Sequence, residues 1–143
     1  TGARAYRAYQ DRDLLPMYEE MIVTGAWWDL VDVIAIHRIG PLLLKEPVPM
    51  KREMLAWSRD ADMWKRRTAI ICQVAAKKKT DLDLLYSAIE PNLADKEFFL
   101  RKAIGWALRA YAWVDPAEIA RYVRENEARL SGLSRREALK NIG

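Results

Sequence analysis

The chain has 143 residues, 51% of them hydrophobic, which suits one core of ordinary size, and it has no apolar run near the roughly 18 residues a membrane-spanning helix needs. A single cysteine, Cys72, and a single histidine, His37, exclude an internal disulfide, a cysteine- or histidine-rich metal centre and any mechanism using two histidines. The net charge of +4 is modest, but Trp64 to Thr80 holds Lys65, Arg66, Arg67, Lys77, Lys78 and Lys79 and no acid. Such a patch suits phosphates; a solvated lysine-rich helix end is the plainer reading. No secretory signal opens the chain, and a reducing, cytoplasmic setting is expected, with Cys72 a small core residue.

Helical spacing dominates, with no sustained strict alternation of apolar and polar residues. Thr1 to Asp13 read as the end of a helix whose repeat is incomplete. The chain opens on Thr1 rather than Met, so a processed, trimmed or fragmentary chain is expected. The spacing then predicts helices over Leu14 to Val23, Trp27 to Ile36, Met50 to Ser58, Met63 to Lys78, Leu82 to Ile89, Glu97 to Trp113, Pro116 to Glu127 and Arg135 to Asn141. Thr24-Gly25 and Gly40-Pro41 are expected breaks. Asp81, Asp115 (before Pro116) and Ser134 are expected N-caps, with Glu137 completing a capping box on Ser134.

Three of these helices carry unusual faces. On the Trp27 helix, Trp27, Leu30, Val31 and Ile34 form the expected core stripe. Trp28 and Asp32, four residues apart, share another face, so a ring and a carboxylate meet at the edge of the buried surface. A packing Trp beside a surface Asp is the other account of the same pair. On the Met63 helix, Arg67 falls among Met63, Ile70, Ile71 and Val74. A guanidinium there needs a carboxylate or a phosphate, and Asp32 is a candidate partner. On the Glu97 helix, Leu100, Ile104, Ala107, Leu108 and Tyr111 form the apolar stripe, while Lys102, Gly105, Trp106, Arg109 and Trp113 collect opposite. Rings interleaved with cations are what a nucleic-acid surface uses, unless another helix covers that face. Arg66, Lys77, Lys78, Lys102, Arg109 and Trp113 are therefore candidate DNA contacts. His37 is expected to cap or pack at its helix end. Ser131 and Ser134 have no histidine partner for a triad, and there is no Gly-rich phosphate loop.

Shorter and longer helices alternate, and the longer ones carry Trp28, Trp64 and Trp106 at spacings of 36 and 42 residues. HEAT and armadillo repeats run to about 40 residues. The expected fold is all-α, a HEAT-like/ARM-like helical repeat (an α-α superhelix) in one domain over residues 1–143; a four-helix bundle is the alternative.

The strings Trp27-Trp28-Asp29-Leu30-Val31-Asp32, Trp64-Lys65-Arg66-Arg67 and Phe98-Phe99-Leu100-Arg101-Lys102-Ala103-Ile104-Gly105-Trp106-Ala107-Leu108-Arg109 resemble the AlkD-type DNA alkylation repair family of HEAT-like-repeat DNA glycosylases. Leu130 to Leu139 is similar to its C-terminal helix, and the resemblance runs from about Leu14 to the end. It implies excision of alkylated purines from duplex DNA with Asp32 as the catalytic aspartate, Trp28 one turn before it, Arg67 as the cleft arginine, Trp106 as the second cleft tryptophan and Arg109 as a DNA contact. It implies a monomer with no cofactor or metal, associated with the nucleoid when bound to DNA. Family members carry further helices before the region matching Leu14, so a shortened member is expected. A non-catalytic DNA-binding relative and a protein-interaction scaffold are the other functional readings.

Overall fold

A computed structural model describes residues 12–142, and every regular element among them is helical. The helix end expected over Thr1 to Asp13 falls almost wholly outside the described residues. Helix α1 (Leu15–Gly25) has Pro16 in its first turn, where a missing N–H removes no helical bond. It ends at Gly25, as the Thr24-Gly25 break suggests, and Ala26 is its C-cap. Ala26 takes the left-handed conformation (φ 45°) and donates its N–H to the Ile22 carbonyl.

Helix α2 (Trp28–Ile34) follows an extended Trp27. Gly40-Pro41 does not stop it. The chain passes through a π-helical turn (Ala35–Ile39) straight into α3 (Gly40–Lys45). A proline inside a regular α-helix collides with the carbonyl four residues back; the wider π turn relieves that contact. Gly40 also permits close approach, because a Cβ there would lie 2.5 Å from the Cys72 carbonyl oxygen. His37 lies exposed in this turn rather than packed.

Helix α4 (Pro47–Trp57) leads to α5 (Met63–Ile71), whose N-cap Asp62 accepts from the Trp64 and Lys65 N–H groups. α5 was expected to reach Lys78 but stops at Ile71. Beyond it the chain bends, with Lys77–Lys79 in a 3₁₀ turn and Lys77 at φ 53°. The Gln73 amide clamps the bend: its Nε2 donates to the Asp81 carbonyl at 3.1 Å and its Oε1 accepts from the Asp81 N–H at 2.8 Å. Side-chain bonds that close such a loop compete with helix continuation.

Then come α6 (Leu82–Ile89), capped by Asp81; α7 (Phe98–Ala112); α8 (Pro116–Glu125), capped by Asp115; and α9 (Gly132–Ala138). The cap of α9 is Ser131, whose hydroxyl oxygen accepts from the Ser134 N–H. The Ser134–Glu137 capping box does not form. Ser134 donates its hydroxyl to the Arg101 carbonyl on α7 at 2.8 Å, tying the two helices.

Helix α5 is the centre of the array, packing on α1, α2, α4, α6 and α7, while α7 packs on α5, α8 and α9. Ile70 and Ile71 of α5 and Leu100, Ile104 and Leu108 of α7 are fully buried. Val31 and Ile34 bury as expected, but Trp27 and Leu30 are 52% and 37% exposed and lie outside the core. Cys72 is buried, and burial pushes its thiol up to about 12, which leaves it an unreactive core residue. Among the described residues no helix is long and apolar enough to cross a membrane.

Gly105 lets α9 close on α7. A Cβ there would lie 2.6 Å from the Glu137 Cβ and 3.1 Å from the Ser134 carbonyl oxygen. Gly105→Ala is expected to lower the unfolding free energy by about 1–3 kcal/mol through overpacking, read as an earlier midpoint in urea denaturation. An unchanged midpoint would mean that α9 yields freely.

Candidate nucleic-acid interface

Arg67 lies in the second turn of α5, on the side that faces α2 and α7, and is 4% exposed. Its Nε and Nη2 each donate to a separate oxygen of Asp32 at 2.9 Å. Its Nη1 donates to the Phe99 carbonyl at 2.7 Å. One guanidinium thus joins α2, α5 and α7 through a two-pronged ion pair and a charge-assisted bond. Its carbon also lies 5.9 Å from the ring centres of both Phe99 and Trp106, within reach of cation–π attraction.

Asp32 accepts one bond from Arg67 at each oxygen, and each oxygen keeps a lone pair. Its side chain is 14% exposed. Trp28, Asp32, Arg67 and Trp106 line one open cleft of about 480 Å³. Phe98 and Phe99 add apolar lining; Lys102, Arg109, Glu137 and Lys140 add charge. The ring of Trp27, unexpected here, packs beside Trp64 and Phe99 with centres 6.2 and 5.7 Å away, and Trp64 and Phe99 are 5.0 Å apart. This aromatic cluster explains how Trp27 leaves the core yet stays packed.

Glu137 also lines the cleft, which sequence reasoning missed, since it was read as half of a capping box. Its carboxylate accepts from Lys102 Nζ at 2.8 Å and sits 3.7 Å from an Arg109 nitrogen. The Lys102 hydrogen bond holds its carboxyl below the usual range, against the opposing effect of burial. Phe98, Phe99 and Lys140 were not singled out either. Phe98 and Phe99 open the third family-like string without a role of their own, and Lys140 had only its position just after α9 as a signal.

The remaining expected contacts divide. Lys77, Lys78 and Trp113 line a second open groove of about 850 Å³, together with Lys79. Trp106 and Arg109 line both spaces, so cleft and groove adjoin. Arg66 lines neither. It donates to the Asp60 carbonyl at 3.0 Å and pairs with Asp95 at 3.3 Å. Among the described residues no group of His, Cys, Asp and Glu is arranged to hold a metal ion. A fixed carboxylate among ring faces, with cations around it, suits a ligand that is locally cationic but carries anionic flanks.

The family model described as DNA alkylation repair enzyme matches residues 2–142, starting upstream of the Leu14 from which the motifs are recognisable. A solved structure described as a predicted DNA alkylation repair enzyme from Enterococcus faecalis is similar at 32% identity with a TM-score of 0.73. The match covers 87% of this chain and 60% of that one. No match to a curated protein was found.

Two outcomes follow from the geometry. Asp32→Ala strands the Arg67 guanidinium without its counter-ion, and stability should fall by about 3–5 kcal/mol in denaturant melts; a loss under about 1 kcal/mol would mean the pair behaves as a surface pair. Glu137 binds its proton less readily when folded, so its contribution is complete above its ordinary value of 4.5 and is lost as pH falls through the lower folded value. The stability gap between wild type and Glu137→Gln should therefore narrow on acidification below that point, and a gap independent of pH would rule out the ion pair as its source.

Proposed function

The chain belongs to the DNA alkylation repair enzyme family, and on that premise we propose that it is a DNA glycosylase that removes cationic N3- or N7-alkylated purines from duplex DNA. The observation that carries this reading is the convergence of Asp32, held by Arg67, with Trp28 and Trp106 in one open cleft. The paired helices bearing Trp28, Trp64 and Trp106 are read as HEAT-like repeats that hold these groups in place. Activity on DNA is inferred for a chain that spans 60% of the similar solved structure.

Alkylation at N3 or N7 makes the purine a cation and hence a good leaving group. The bond from the sugar C1′ to the base breaks with its electron pair moving to the base, which departs neutral. No general acid is required, and none is paired with Asp32. Positive charge grows on the deoxyribose as the bond breaks. The Asp32 carboxylate opposes that charge and can hold a water toward C1′. The water adds, and its proton leaves to Asp32 or solvent, giving an abasic site. Trp28 and Trp106 present ring faces to the cationic sugar, an effect of about 1 kcal/mol each. Lys102 and Arg109, with Lys77 and Lys78 in the adjoining groove, engage the backbone.

The test is release of N7-methylguanine or N3-methyladenine from duplex DNA, with Asp32→Asn as control and thermal melts to verify folding. Wild type should release base, and folded Asp32→Asn should be slower by about 100-fold or more with little change in DNA affinity. Normal release by folded Asp32→Asn would remove Asp32 from its role. Salt-sensitive DNA binding without release by wild type would identify a non-catalytic DNA binder.

A further inference from the structure

The groove beside the cleft has its own composition. It is lined by Lys77, Lys78, Lys79, Arg109, Trp106 and Trp113, the rest of its lining is apolar, and no carboxylate lines it. Among the described residues none of the three lysines has an ion-pair partner, and no ring or cation stacks on Trp113. Trp113 is 74% exposed, the most open of the large apolar side chains among the described residues. The lysines owe their place to the Gln73 clamp, which turns the chain after α5 so that they stand across from the end of α7.

Along α7 and its C-cap, Trp106, Arg109 and Trp113 alternate ring, cation, ring. Trp106 and Trp113 are seven residues apart, about 10 Å along the helix axis. That is about three nucleotides of a stacked strand, and fewer of a stretched one. A duplex offers phosphates to such a groove but not ring faces, because its bases are stacked on one another. Phosphate contacts alone would use the lysines and leave the Trp113 face in water. Unpaired bases use both, since every base has a face to stack and every linkage a charge to neutralise.

We propose that this groove is a binding site for single-stranded DNA, in which Trp113 is the stacking platform and Lys77, Lys78 and Lys79 hold the backbone. It rests on the DNA-binding half of the functional reading and not on base excision. A strand leaving the cleft past Trp106 and Arg109 would enter it directly, so the protein would engage lesions beside unpaired or frayed DNA.

The experiment is fluorescence anisotropy with an end-labelled oligothymidylate of about ten nucleotides and an abasic oligomer of the same length and charge. Wild type should bind the oligothymidylate more tightly than the abasic oligomer, and binding should weaken steeply between about 50 and 200 mM salt. Trp113→Ala should lose roughly tenfold toward oligothymidylate and then treat the two oligomers alike, while Trp113→Phe should recover most of the loss. Charge reversal at Lys77, Lys78 and Lys79 together should weaken both oligomers. Equal binding of the two oligomers by wild type, or an unchanged affinity in Trp113→Ala, would overturn the platform and leave a groove that takes duplex phosphates alone. Binding that resists salt would point to a protein occupant and equally overturn it. No alkylated base is present in the assay, so its outcome is independent of whether excision occurs.

Discussion

The arrangement of the cleft depends on one buried ion pair. Arg67 uses Nε, Nη1 and Nη2 to reach Asp32 on α2 and the Phe99 carbonyl on α7, while itself belonging to α5. Both side chains are largely withdrawn from water, at 5% and 14% exposure. Burying an ion pair brings little net stability, because desolvation of both charges offsets their attraction, and a well-packed apolar pair often serves a core as well or better. What the pair supplies is geometry. A carboxylate gripped at both oxygens has a fixed plane, and its guanidinium partner in turn lies 5.9 Å from the ring centres of both Phe99 and Trp106. α5 can play this part because it packs on five other helices and its own frame is therefore rigid.

That rigidity explains what the sequence disclosed. Arg67 stood out because helical periodicity put a guanidinium among Ile70, Ile71 and Met63, where only a partnered charge can persist. Asp32 and Trp28 stood out because a four-residue spacing stacks them on one face. Both inferences concern a single helix, and periodicity describes single helices well. It says nothing of which neighbours a face will meet. Trp27 and Leu30 lie on the apolar stripe of α2, yet only Val31 and Ile34 find a helix to cover them, and the Trp27 ring packs sideways on Trp64 and Phe99. Glu137 was hidden for the same reason: its partners Lys102 and Arg109 are on another helix, reached only because Gly105 has no side chain.

Chain breaks show the same division. Asp81 and Asp115 cap their helices as the local sequence suggests. Ser131 takes the cap expected of Ser134 because the Ser134 hydroxyl is engaged by the Arg101 carbonyl across the interface. Gly40-Pro41 reads locally as a stop, but packing against Cys72 makes a continuous, π-distorted helix the better solution. The lysines after α5 read as helix, yet a side-chain clamp from Gln73 to Asp81 bends them away. In each case a contact between elements overrides a local preference of a kcal/mol or so.

The same bend sorts the positive charges of the surface into two kinds. Lys102 is paired with Glu137, and Arg67 with Asp32. Lys77, Lys78 and Lys79 face a groove without carboxylates. Arg109 stands at the junction, 3.7 Å from Glu137, too long for a firm hydrogen bond and so only loosely held. Exposed charges are screened by salt over about 8–10 Å, whereas a buried pair is screened much less. Ionic strength therefore acts unequally on the two halves of this surface. It screens the exposed lysines of the groove while leaving the Asp32–Arg67 geometry nearly untouched. Exposed and buried charge are thus separated physically, although Trp106 and Arg109 line both spaces.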